Sequence, residues 1–178
     1  MNKKPWSGKS DAERFAMIAN MEQLANDYEA SACILSEKAH RCHGPAASQL
    51  GILALEIRLK CAALVDNGSR PRSHDYWSIW QSLEEDTRAE LLRLAEERYA
   101  GHICLSNLED VFRRIKHAFE VGRYNYERND TRSPDDALKA GEEWLENGGN
   151  VKDADISYHP YEVHGLNFAL LEWLKSQP

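Results

Sequence analysis

Apolar residues recur every three or four positions along most of the chain, and no strand-length run alternates convincingly between apolar and polar. Met17, Met21, Leu24, Tyr28, Leu35, Ala39 and Cys42 fall at spacings of three, four or seven. They predict a long first helix with one apolar face, opened by the capping box Ser10-Asp-Ala-Glu13 and closed at His43-Gly44-Pro45. A second helix, about 46–66, is apolar on nearly every side through Ile52, Leu53, Leu55, Ile57, Leu59, Ala62, Ala63 and Leu64, and stops at Asn67-Gly68. That pattern belongs to a central helix, yet it carries Glu56, Arg58 and Lys60.

Shorter helical patterns follow at about 74–83, with Tyr76, Trp77, Ile79, Trp80 and Leu83, and at about 86–99, with Leu91, Leu92, Ala95 and Tyr99 inward. Ser106-Asn-Leu-Glu109 reads as a second capping box before the stripe Leu108, Val111, Phe112, Ile115 and Phe119. Ser133-Pro134-Asp135-Asp136 places a cap, a first-turn proline and two acids at the start of a short helix that ends at Asn147-Gly148-Gly149. The stretch 150–160 has no period and reads as an ordered loop before a last helix with Leu166, Leu170, Trp173 and Leu174. The fold class is therefore all-α: a helical bundle with C-terminal helical additions, in one domain.

The 178 residues, 42% of them apolar, suffice for one buried core. A net charge of −7 argues against a broad nucleic-acid-binding surface, which needs clustered cations. No run approaches the roughly 20 apolar residues that span a bilayer, and no apolar segment follows the N-terminal lysines, so no membrane is expected. Cys33, Cys42, Cys61 and Cys104 form no C-x-x-C pair, which fits reduced thiols in a cytoplasm.

Four clusters carry candidate chemistry. Glu56 and Lys60, four apart with the acid first, suit a helical ion pair that fixes packing. His74, between Ser73 and Asp75 at a helix start, is either a junction residue or an acid–base candidate, with His117 the other weak catalytic candidate. Arg113, Arg114, Lys116, Arg123, Tyr124 and Tyr126 form a basic, tyrosine-bearing neighbourhood of the kind that contacts phosphates and stacks on bases. Glu120, Glu127 and Asp130 lower the formal charge of the segment 113–132 from six to three, and a solvated helix face is the plainer alternative. Cys33, Glu37 and His40, with His43 three residues on, have ligand chemistry at helical spacing, as does the pair His159 and His164. Such coincidences are common on helices, and neither a metal nor another cofactor is expected.

The run ALEIRLKCAALVDNG followed by SHDYWSIWQSL resembles the HEPN superfamily of small helical domains. Ala54, Leu55, Glu56, Leu59, Lys60, Gly68, His74 and Asp75 match its pattern, with Tyr76 where leucine is usual, and Arg123, Tyr124, Tyr126 and Glu127 match an R-Y-x-Y-E ending. The resemblance covers about 12–128 and leaves 129–178 as an extension. It implies a bundle of four to five helices, frequent homodimerisation and roles in RNA cleavage, nucleotide binding, toxin–antitoxin modules or phage defence. Ribonuclease members carry R-x(4–6)-H. Here Arg70 and His74, Arg98 and His102, and Arg113 and His117 each have three residues between them, so the expected role is non-catalytic binding of RNA, a nucleotide or a protein. A divergent metal-independent ribonuclease using His74 or His117 is one alternative, and a dimeric scaffold for a nucleotidyltransferase-like protein partner is another. Five tryptophans and the apolar second helix favour a homodimer.

Overall fold

The helix with the least polar surface takes the centre. A computed structural model describes residues 10–37, 44–122, 133–149 and 159–177, and among these it places seven helices. They are α1 (Asp11–Glu37), α2 (Gly44–Asn67), α3 (Tyr76–Ser82), α4 (Glu85–Arg98), α5 (Leu108–Gly122), α6 (Pro134–Glu146) and α7 (Pro160–Lys175). The fold is an all-α bundle: α1 lies along α2, α3, α5 and α7 also pack on α2, and α4 covers α7. Ile52, Leu55, Leu59, Ala62 and Ala63 of α2 are fully buried, joined by Phe112 and Ile115 of α5 and by Leu166 and Leu170 of α7. No described helix is long and apolar enough to cross a membrane.

Local chemistry moves several boundaries. Gly44-Pro45, expected as the break between the first two helices, forms the first turn of α2, where a proline costs nothing because its missing N–H would have had no partner. The second capping box is replaced by Asn107, whose side chain accepts from Asp110 N at 3.3 Å. The first box is present in both directions, Ser10 N to Glu13 Oε2 at 2.8 Å and Glu13 N to Ser10 Oγ at 3.3 Å. Gly68, at φ 70°, reverses the chain after α2, and the Arg14 guanidinium donates to the carbonyls of Leu64 and Val65 at 2.7 and 3.2 Å. A cation thus sits on the negative end of that helix.

Two packing results change the sequence picture. The last helix, expected among the C-terminal additions, lies inside the core, with Val163, Leu166, Ala169 and Leu170 fully buried. The apolar stripe of α1 is not its buried face. Ala25 and Ala32 are the buried residues, Ile18 and Met21 lean on the core, and Leu24 stays 44% exposed. Small residues let α1 lie close along α2, and this turns the larger apolar side chains toward the flank. Ala39, Cys42, His43 and the expected loop at 150–158 lie outside the described residues.

Candidate functional site

On α2, Glu56 and Lys60 lie one turn apart, while Arg58, two residues from Glu56 and so about 200° further round, looks the other way. Lys60 Nζ donates to Glu56 Oε1 at 2.7 Å. His74 Nδ1 lies 2.9 Å from the same oxygen, and the Tyr76 hydroxyl donates to Oε2 at 3.3 Å. The carboxylate is buried, whereas the His74 side chain is 69% exposed. Asp75 caps α3 by accepting from Ser78 N at 3.3 Å, so His74 precedes the helix and reaches back across the junction to α2. Three partners on its two oxygens hold the carboxylate in place at the junction of α2 and α3.

Burial by itself would raise the pKa of Glu56, but the hydrogen bonds and charges of Lys60 and His74 outweigh it and hold the carboxyl below its ordinary value. A depressed carboxyl stabilises the fold fully above its unfolded pKa and loses that contribution as pH falls through the lower folded value. Urea unfolding of the wild type and of Glu56→Gln should therefore show a gap in stability that is constant above pH 4.5 and closes below it. A gap that widens with acid would reverse this assignment.

Arg58 makes the more extensive network. It is 1% exposed and, among the described residues, the largest fully buried side chain. Its guanidinium donates to Asn167 Oδ1 of α7 at 2.9 Å and to Asn26 Oδ1 and Glu29 Oε2 of α1 at 2.8 and 2.6 Å. Asn167 in turn donates to the Gly51 carbonyl at 3.0 Å. One side chain therefore sets the register of three helices, which makes it architectural.

The basic neighbourhood divides. Arg123, Tyr124 and Tyr126 lie outside the described residues. Arg113 and Arg114 both pair with Asp110, the latter at 2.6 Å, and Lys116 faces Glu120 at 3.9 Å. Glu109, Asp110 and Glu120 match the three cations of α5 one for one, so this helix presents no net positive face. His117 is exposed beside it. The structure does not bring His74 and His117 into one site: His74 serves Glu56, while His117 stands on the outer side of α5.

Cys33 and Glu37 are exposed on α1, and His40 and His43 lie outside the described residues. His159 Nδ1 approaches Glu162 Oε2 at 3.8 Å. No group of three or more described His, Cys, Asp or Glu residues is arranged to hold a metal ion. Burial pushes the Cys61 thiol up to about 12, with the Glu22 charge adding to it, so little thiolate forms at neutral pH. Iodoacetamide on the native protein should label the exposed Cys33 and Cys104 and spare Cys61 until urea is added, which peptide mass spectrometry will read. Labelling of Cys61 as fast as Cys104 would contradict its burial.

An apolar seam runs along α1. Met17, Met21, Leu24, Tyr28 and Leu35, a seam with spacings of three, four or seven, run beside the buried face, with Leu24 exposed and the rest half-buried. Glu13, Ala16, Met17, Asn20, Met21 and Leu24 line a shallow groove of about 420 Å³ there. The tryptophans and α2, from which a surplus of apolar surface was expected, are largely spent inside: Trp80 and Trp173 are buried and Trp77 packs on the core.

Comparison with protein-family models, with curated proteins and with solved structures finds no match to this chain.

Proposed function

We propose that the chain is a HEPN-like, non-catalytic interaction module that pairs with a second copy of itself through the outer seam of α1. The observation that carries this reading is the seam itself, an uncharged row from Met17 to Leu35 about 27 Å long at 1.5 Å per residue, with Leu24 exposed and the other members half-buried on a helix whose buried residues are alanines. Contiguous apolar surface of that kind marks interfaces, and spacings of three and four suit helix-on-helix packing. A two-fold axis near the middle of α1 would set Leu24 against Tyr28 of the second copy and close the assembly at two.

What supports the non-catalytic part is the engagement of the residues that catalysis would need. The Glu56 carboxylate is held by Lys60, His74 and Tyr76, and the arginines nearest His117 are tied to Asp110. RNA binding by α5 loses force for the same reason. The resemblance to toxin–antitoxin and defence proteins supplies the setting, with a nucleotidyltransferase-like partner as the rival occupant of the seam. Light scattering of the wild type and of Leu24→Glu tests the reading: a dimer that the substitution dissolves supports it, and a wild-type monomer overturns it.

A further inference from the structure

The end of α4 and the start of α7 bring together five side chains to which the sequence reading gave no binding role. The His102 and Tyr161 rings stack with centroids 5.4 Å apart at an interplanar angle of 27°, and the Tyr99 ring meets Tyr161 edge-on at 5.7 Å. The Arg98 guanidinium lies 5.4 Å from the Tyr99 ring centre and 5.3 Å from that of Phe168. Gly165 permits the close approach, since a Cβ there would fall 2.6 Å from Ile103 Cδ1. Buried aromatics are core, but these are not buried: Tyr161 is 46% exposed, and His102 and Arg98 are exposed.

Arg98 gives the patch a cation in a chain of net charge −7. Of the nearby carboxylates, Glu97 pairs with Arg93 and Glu172 with Lys175 at 2.8 Å, while the buried Glu162 accepts from Cys104 N at 3.3 Å and faces inward, 3.8 Å from His159 Nδ1. Among the described residues Arg98 makes ring contacts and no ion pair, which leaves its charge to a ligand. Two stacked rings open to solvent beside an exposed cation accept a third planar ring that carries an anion.

We propose that this patch binds a nucleotide, its base extending the His102–Tyr161 stack and its phosphate at Arg98. The site lies at the α4–α7 end of the bundle and does not depend on the α1 seam or on the state of association.

Calorimetric titration of the full chain with adenosine 5′-monophosphate, adenosine and inorganic phosphate in parallel tests it. The nucleotide should bind more tightly than adenosine, and phosphate alone more weakly than either. Tyr161→Ala and His102→Ala should each weaken the nucleotide by roughly tenfold, and Tyr161→Phe should keep its affinity, as expected when stacking supplies the binding. Arg98→Gln should reduce the nucleotide to the affinity of adenosine. Far-ultraviolet circular dichroism will show that the variants remain folded, and the two single-ring variants provide independent readings should one fail to fold. No saturable nucleotide binding, phosphate binding as tight as the nucleotide's, or nucleotide affinity indifferent to both ring substitutions would overturn the proposal.

Discussion

Arg58→Ala should lower the free energy of unfolding by about 3–5 kcal/mol, the cost of removing one partner from a buried ion pair. In a domain of this length that corresponds to a fall in Tm on the order of 10 °C. Three losses combine. The Asn167 carbonyl oxygen, in a fully buried side chain, is left without its donor, Glu29 loses the cation that draws it against the core, and a void opens where the largest buried side chain stood. Arg58→Met, which fills most of the void, should recover part of the loss and so separate packing from polarity. Arg58→Lys should not substitute fully, because one ammonium cannot reproduce a planar fork that reaches acceptors on two helices. Urea denaturation of the three variants reads the order. A loss below about 1 kcal/mol for Arg58→Ala, the range of an exposed ion pair, would show that the network does not hold α1, α2 and α7 in register.

Leu24→Glu should leave the isolated fold intact and weaken self-association by roughly thirtyfold or more, the scale of an interface hot spot of 2 kcal/mol. The first half follows from exposure: Leu24 is 44% exposed, and surface substitutions shift stability by about 0.5 kcal/mol or less. The second half follows from placing a charge at the centre of the seam, where each copy would desolvate it against the other. Salt offers a second reading. Asp27 flanks the seam on its outer side beside the two-fold axis, so pairing brings the two Asp27 carboxylates together, and added salt should tighten the dimer by screening them. Binding through α5 to a nucleic acid would respond in the opposite direction, since phosphate contacts weaken as salt rises. Sedimentation equilibrium across a salt series distinguishes the two.

Helix positions were legible in the sequence because their signals are local. The serine of the first capping box, Pro134 after Ser133 and Gly68 after Asn67 act within a few residues of themselves. Glu56 and Lys60 were legible for the same reason, as a pair one turn apart. Arg58 was conspicuous on an apolar helix but had no visible partner, because its acceptors on α1 and α7 are 29 to 109 residues away and only the packed bundle brings them near. The stacked rings of Tyr161 and His102 are 59 positions apart and were invisible for the same reason. The apolar face of α1 was legible, but not which side of the helix packs on α2. Ala25 and Ala32 carry little hydrophobic signal, yet they are what lets α1 lie close to α2. The stronger signal of Met17, Leu24 and Leu35 belongs to the flank of that face, with Leu24 exposed and the other two half-buried.

The most direct test of the account is the molar mass of the full chain in solution, measured by light scattering behind size exclusion at micromolar concentration, for the wild type and for Leu24→Glu side by side. The account predicts twice the 20.3 kDa chain mass for the wild type and the single chain mass for the variant, with matching thermal melts at dilutions where both are monomeric. A wild type of single chain mass at every concentration, or a dimer that survives Leu24→Glu unchanged, would contradict it.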